Sequence, residues 1–410
     1  MYVTESFRRS LVPISKRKIV WVAVLSVALV LLIPPVRENF FGWGIRWVYL
    51  LLFSSSLAYL ATPLARKVAW VLGVLDRPGG RKVHERPTPL LGGAAIYVAF
   101  AAVLLLNFSF SWELKGVALG ASLIFILGLV DDLCPLPAWL KLLVQLGAVG
   151  ILIRFGVVLS FLPDGFWSTA GEWVLTAMWV VGITNAMNFL DGLDGLATGL
   201  AAINAAFFTI VALQTGQPYM GFLSVALLGS CLGFLPHNFR LREPASIFLG
   251  DAGSTFLGFS LAGIAVMGEW GESRLVDIVI PVLILGIPIF DMTLTTLMRV
   301  GTGQVRSVGE WLSFTGRDHF HHRLLEIGLG RRRAVLTIYV IAVWLGLSAL
   351  VLKGSTGTDA LLVLLQAGII FFLIGYFIIF VEKQYARIGR VVPQDPGSHN
   401  RNLKEKPGVT

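Results

Sequence analysis

Charge is what this sequence has least of. Asp, Glu, Lys and Arg make up 14% of its 410 residues, against roughly 25% in an average soluble domain. Cysteine is almost missing as well. Cys134 and Cys231 are the only two, and neither stands in a CxxC or Cys/His spacing, which argues against a disulfide framework or a zinc site. No repeat of about 20–50 residues recurs, so a solenoid is not indicated. The apolar stretches lack the apolar/polar alternation that an outer-membrane barrel needs. What is present is apolar: 56% of the residues are hydrophobic and the mean hydropathy is +0.77. These values exclude a soluble globular enzyme and a disordered chain. A membrane-spanning helix needs about 20 mostly apolar residues, and the chain contains twelve such runs. The fold class expected is all-α: a polytopic integral membrane protein of about 12 transmembrane helices.

The runs lie near 19–35, 46–65, 91–107, 115–130, 139–158, 172–188, 195–213, 219–236, 253–268, 277–298, 334–352 and 359–381. The first follows Arg8, Arg9, Lys16, Arg17 and Lys18 and lacks a small-residue cleavage site, so it reads as a retained helix rather than a cleaved signal. When loops are assigned to alternate sides, 27 of the 33 basic residues fall on one side. The other side receives Arg37, Arg46, Lys115, Arg154, Arg274 and Lys353. By the positive-inside rule the basic loops and both termini are cytoplasmic. That rule also accounts for the net charge of +9 without nucleic acid as a partner. The organisation expected is a basic segment with an extra helix at 1–45, a catalytic core at 46–352, a last helix at 353–382 and a polar tail at 383–410.

Intramembrane and membrane-edge carboxylates are costly, which makes them candidates for function. Here they gather. Asp131 and Asp132 end the fourth run; Asn185, Asn188, Asp191 and Asp194 join the sixth to the seventh. His237, Asn238 and Asp251 follow the eighth, and Asp318, His319, His321 and His322 follow the tenth. Singly, Asp191-Gly192 and Asp194-Gly195 make acceptable turns, and Asp251 could cap a helix. Capping does not explain four clusters on one side of the membrane. Oxygen donors without thiolates suit a hard cation such as Mg²⁺, which takes one or two protein ligands and leaves the rest to water and phosphate. Arg81, Lys82, Lys141 and Arg323 can neutralise phosphate oxygens. The histidines, flanked by Arg317, Arg323 and Arg331–Arg333, read as donors in an anionic pocket rather than as metal ligands. Together these residues point to metal-assisted phosphoryl transfer at the cytoplasmic membrane surface.

The motifs DRPGGRKVHERPTPLLGG (76–93), GLVDDL (128–133), Lys141 with Gln145, NAMNFLDGLDGLATG (185–199), FLGDAGSTFLG (248–258) and DHFHHRLL (318–325) stand in one order along the chain. In that order the chain resembles the polyprenyl-phosphate N-acetylhexosamine-1-phosphate transferases. The resemblance implies transfer of a sugar 1-phosphate from a UDP-N-acetylhexosamine to a membrane polyprenyl phosphate such as undecaprenyl phosphate, with release of UMP. It implies Mg²⁺ as cofactor, with Mn²⁺ able to substitute, held by Asn188 and Asp251. Asp131, Asp132, Lys141 and Asp191 match the catalytic positions. Lys82, His84, Asn185, Asp194, Asn238, Arg299, Asp318, His319, His321, His322 and Arg323 are the expected substrate contacts. Membrane lipid surrounds such an enzyme, and a homodimer is the assembly expected of the family. The Asp-His-Phe-His-His-Arg order at 318–323 resembles the N-acetylglucosamine branch, with phospho-N-acetylmuramoyl-pentapeptide transferase as the alternative. The chain departs from the family in a longer 301–316 loop and an extra N-terminal run. A twelve-helix transporter is the alternative of another class, although transporters place polar groups near the midplane of repeated halves. Two mechanisms stay open: direct attack of the acceptor phosphate, or a covalent phosphoaspartate, for which Asp191 is the candidate.

Overall fold

Proline and glycine decide where the apolar runs break. In the computed structural model the first run becomes α1 (Lys16–Leu31) and α2 (Pro34–Gly42), bent 75° apart. Pro34 and Pro35 open α2 because proline suits a first helical turn and cannot donate to a preceding one. The run at 277–298 breaks likewise into α11 (Arg274–Ile284) and α12 (Gly286–Gly301), 77° apart. Pro281 in α11, with Gly286 and Pro288 in the first turn of α12, interrupts the ladder there. The structure describes residues 16–77, 87–107, 111–160, 162, 165–240, 242–307, 309–310, 316 and 318–391. Lys82 and His84 lie outside them.

Between these pairs come α3 (Arg46–Leu72), the two-residue strands β1 (Leu75–Asp76) and β2 (Thr88–Pro89), α4 (Gly92–Asn107), α5 (Trp112–Leu133) and α6 (Ala138–Arg154). Next are α7 (Phe166–Phe189), α8 (Leu196–Gln214), α9 (Pro218–Asn238) and α10 (Gly250–Met267). A short α13 (Phe320–Glu326), α14 (Arg331–Val351) and α15 (Gly357–Val391) complete the order. The strands pair antiparallel, Leu75 opposite Pro89 and Asp76 opposite Thr88.

Each of the twelve expected runs is therefore helical. By length and composition seven helices (α3, α5, α8, α9, α10, α14 and α15) can cross a membrane, or up to nine spans if each bent pair counts as one. The remaining three fall short for visible reasons. α4 has 16 residues, about 24 Å against a hydrocarbon core of about 30 Å. α6 has 17 residues and holds Lys141 and Arg154. α7 carries Glu172, Asn185 and Asn188.

α10 is the most buried of the seven and α15 the least. Close packing on α10 depends on small residues, as in membrane bundles generally. A Cβ at Gly93 would overlap the backbone of Gly253, and one at Gly128 the backbone of Ala252. α4 and α5 can therefore seat directly on the first turn of α10, and that turn carries Asp251.

Candidate active site

α5 ends in two adjacent aspartates that do different work. Asp132 turns toward α10: its Oδ1 accepts from the Asp251 N–H at 2.8 Å and its Oδ2 from the Ala252 N–H at 3.0 Å. The first N–H groups of a helix have no partner within it, and a carboxylate there also meets the positive end of the dipole. Asp132 is thus the cap of α10, supplied from another helix. The chain reaches that geometry through Gly250, whose φ of +76° suits glycine. Asp131 faces the other way, its Oδ1 accepting from the Leu136 N–H at 2.7 Å and its Oδ2 paired with the Lys141 ammonium.

Lys141, in the first turn of α6, also reaches Asp251 Oδ2 at 3.2 Å. Asn188, at the end of α7, donates through Nδ2 to Asp251 Oδ1 at 3.0 Å and to Ser254 Oγ at 2.9 Å. Four helix ends are so tied into one cluster. The Asp251 side chain is 37% exposed and that of Asp131 only 9%, so Asp251 is the more accessible carboxylate for a ligand. The Asp191 side chain, between α7 and α8, makes no hydrogen bond or ion pair with a described residue, while its N–H donates to the Asn188 carbonyl at 3.1 Å. Burial, then the charges of Asp251, Asp132 and Asp194, hold its carboxyl well above the ordinary range.

This donor set fits a divalent cation. It offers carboxylate and amide oxygens, no thiolate, and a concentration of negative charge that one lysine does not balance. The Asn188 amide oxygen has no partner among the described residues. Among those residues no three carboxylate, imidazole or thiolate groups form a ready-made metal cage.

A second cluster adjoins the first. Arg299, at the end of α12, grips Asp318 with two parallel bonds of 2.7 Å, and Arg323 Nε donates to the Asp318 carbonyl at 2.8 Å. Burial works against the Asp318 charge, but Arg299 outweighs it and holds the carboxyl below its ordinary value. His319 Nδ1 lies 2.7 Å from Asp291 Oδ2, and Asp291 Oδ1 accepts from the Phe320 N–H at 2.5 Å. A carboxylate only accepts, so the shared proton sits on Nδ1 and leaves Nε2 for other partners. Phe189 stacks on His319 at 4.9 Å between ring centres, and His321 packs against Gly192, where a Cβ would collide with it. The histidine segment thus closes over the α7–α8 loop that carries Asp191. Burial, then His322 and His319, push the His321 imidazole well below its usual value. The shift favours the neutral form of the His321 imidazole.

The other expected contacts are spread around this centre. Asn185 lies one turn deeper in α7 and exchanges two amide bonds with Gln145 of α6, at 2.9 and 3.1 Å. Asn238 is buried and clasps the α8 start to the α9–α10 loop, accepting from Gly195 N–H at 3.0 Å and donating to the Ile247 carbonyl at 3.1 Å. Asp194 accepts from the Ala245 N–H at 2.9 Å and opens onto a cavity of about 1050 Å³. Arg66, Lys67, Arg240, Arg331 and Phe248 line it. Asp291 and Ser254 were not anticipated from the sequence. For Asp291 the signal existed, since an aspartate inside an apolar run is itself a functional hint.

Residues 114–269 match glycosyl transferase family 4. The chain belongs to that family, which makes it a membrane-embedded transferase and sets the transporter aside. It is 37% identical over 344 residues to a probable undecaprenyl-phosphate N-acetylglucosaminyl 1-phosphate transferase of Bacillus subtilis, covering 82% of this chain and 92% of that one. It is 34% identical to the decaprenyl-phosphate N-acetylglucosaminephosphotransferase of Mycolicibacterium smegmatis, over 73% of this chain and 79% of the relative. The undecaprenyl-phosphate alpha-N-acetylglucosaminyl 1-phosphate transferase of Escherichia coli K12 is 27% identical, over 84% and 94%.

Proposed function

We propose that this protein transfers N-acetylglucosamine 1-phosphate from UDP-N-acetylglucosamine to a polyprenyl phosphate, releasing UMP, on the cytoplasmic face of the inner membrane. Counting each bent pair as one span and adding α4, α6 and α7, which fall short by length or composition alone, this reading has twelve runs crossing the membrane with both termini inside and residues 46–352 as the catalytic core. The observation that carries this reading is the Asp131–Lys141–Asp251–Asn188 cluster, built from helix ends at one end of an apolar bundle. The relatives' substrates support the choice of sugar and acceptor, and the one-sided basic charge supports the face.

Asn188 and Asp251 would hold Mg²⁺, which when bound neutralises charge on the donor diphosphate. Lys141 adds a cation beside it, aimed by Asp131. Asp132 keeps Asp251 in place through the α10 backbone. The basic cavity beside Asp194 has the size and charge for the nucleotide, with Lys82 and His84 as further contacts. Arg299 and Asp318 brace the segment that presents His319, His322 and Arg323. The acceptor is a phosphate monoester with a second pKa of about 6 and is already largely dianionic at neutral pH. It needs little general-base help, which favours direct in-line attack over a phosphoaspartate on Asp191.

Metal removal tests the cofactor. UMP release by the purified protein, given UDP-N-acetylglucosamine and undecaprenyl phosphate, should stop in EDTA and return with Mg²⁺ or Mn²⁺. Undiminished release in EDTA would remove the cation from the reading.

A further inference from the structure

α4 and α5 are joined by a short connection, yet they hardly touch. α4 packs on α3, α9 and α10, and α5 packs on α6 and α10. The space left between them is a groove of about 460 Å³. Its walls are apolar, with Phe100 and Leu104 from α4, Ala118 from α5, Phe155 after α6 and Phe256 from α10. Partway along, Tyr97 donates to Ser122 Oγ at 2.9 Å, so the polar groups on that wall satisfy each other.

One mouth of the groove is cationic. Trp112 and Lys115 share a face of α5, three residues apart, and both line the groove. The Lys115 ammonium lies 5.8 Å from the centre of the Trp112 ring and the Arg154 guanidinium 5.9 Å from it. Both cations are exposed, and neither forms a hydrogen bond or ion pair with a described residue. These are two of the few basic residues assigned away from the charged side of the protein. Basic and aromatic residues at a membrane boundary are ordinary anchors. Here Trp112 and Lys115 line an apolar slot that reaches the buried Phe256, Arg154 stands beside Trp112, and that combination matches a lipid with an acyl chain and an anionic head.

We propose that the α4–α5 groove binds one anionic phospholipid, its acyl chain against Phe100, Phe155 and Phe256 and its phosphate between Lys115 and Arg154. This ligand is not the acceptor of the reaction. At 1.5 Å per residue, about 24 Å of helix separates Lys115 from Asp131, so a phosphate held at this mouth is remote from Lys141 and Asp251. The inference rests on the membrane setting of the bundle and is independent of which sugar is transferred.

Native mass spectrometry of the detergent-solubilised full chain tests it, with dioleoylphosphatidylglycerol and dioleoylphosphatidylcholine as probes. The wild type should retain one phosphatidylglycerol at a concentration at least fivefold lower than it needs for phosphatidylcholine. A Lys115→Ala/Arg154→Ala variant, altered only at exposed side chains, should lose that preference. Ala118→Phe, which fills the slot, should lose the bound lipid while acceptor-dependent UMP release persists. Unchanged phosphatidylglycerol retention in the double variant would overturn the proposal whether or not Ala118→Phe folds. So would a loss of undecaprenyl phosphate binding in Ala118→Phe, since that would assign the groove to the acceptor chain.

Discussion

Asp251→Asn should lower kcat about 10²–10³-fold, the scale seen when one group that stabilises charge in the transition state is removed, and the protein should unfold no more easily than the wild type. The reason lies in what surrounds the carboxylate. Asp251 meets Lys141 on one oxygen and Asn188 on the other, and its side chain is more exposed than that of Asp131. Asparagine has nearly the same shape and keeps an oxygen for Asn188. It also removes one of the charges that repel Asp191. Function is lost and strain is relieved, a pattern expected where an active site stores unfavourable charge. The check is kcat from UMP release beside a thermal unfolding curve in the same detergent. Retained activity would take Asp251 out of the site.

Asp132→Asn should behave differently, although the two residues touch. Both Asp132 oxygens accept from backbone N–H groups of α10. An amide can satisfy one of them and sets its own NH₂ against the other. Leaving a buried donor unpaired costs about 1–3 kcal/mol, and losing the charge at the helix N-terminus costs about 0.3–1 kcal/mol more. The unfolding temperature should therefore fall. Activity should fall about 10–100-fold, because small displacements at a reacting centre have effects of that order. A variant with lost activity and unaltered stability would mean that Asp132 touches substrate instead of holding α10.

The contrast between these two residues marks how far the sequence could be read. Apolar runs are legible because hydropathy needs no knowledge of the partner, and each expected run is a helix. Their breaks were missed at α1–α2 and α11–α12, since a window that averages apolarity is blind to direction; Pro34, Pro281, Gly286 and Pro288 were the available signals. The gathering of Asp131, Asp132, Asn188, Asp191 and Asp251 was legible because carboxylates at a membrane edge are expensive. The division of labour within the cluster was not. Asp132 and Ala252 are 120 positions apart, and only the packing of α5 on α10 reveals that one caps the other. Asn238 shows the same limit: beside His237 it looks like a substrate contact, and the fold adds that it ties the α8 start to the Ile247 carbonyl. Asp291 stands inside an apolar run rather than at a helix end, and its partner His319 arrives from a later segment.

The most direct measurement is initial-rate UMP release by the purified protein, with UDP-N-acetylglucosamine and undecaprenyl phosphate varied against each other. Direct transfer at the Asp251 centre should give intersecting lines, no UMP without the lipid, and reversal when UMP is added to the lipid-linked product. Stoichiometric UMP release from the UDP-sugar alone would contradict direct transfer, and no release with both substrates present would contradict the proposed reaction itself.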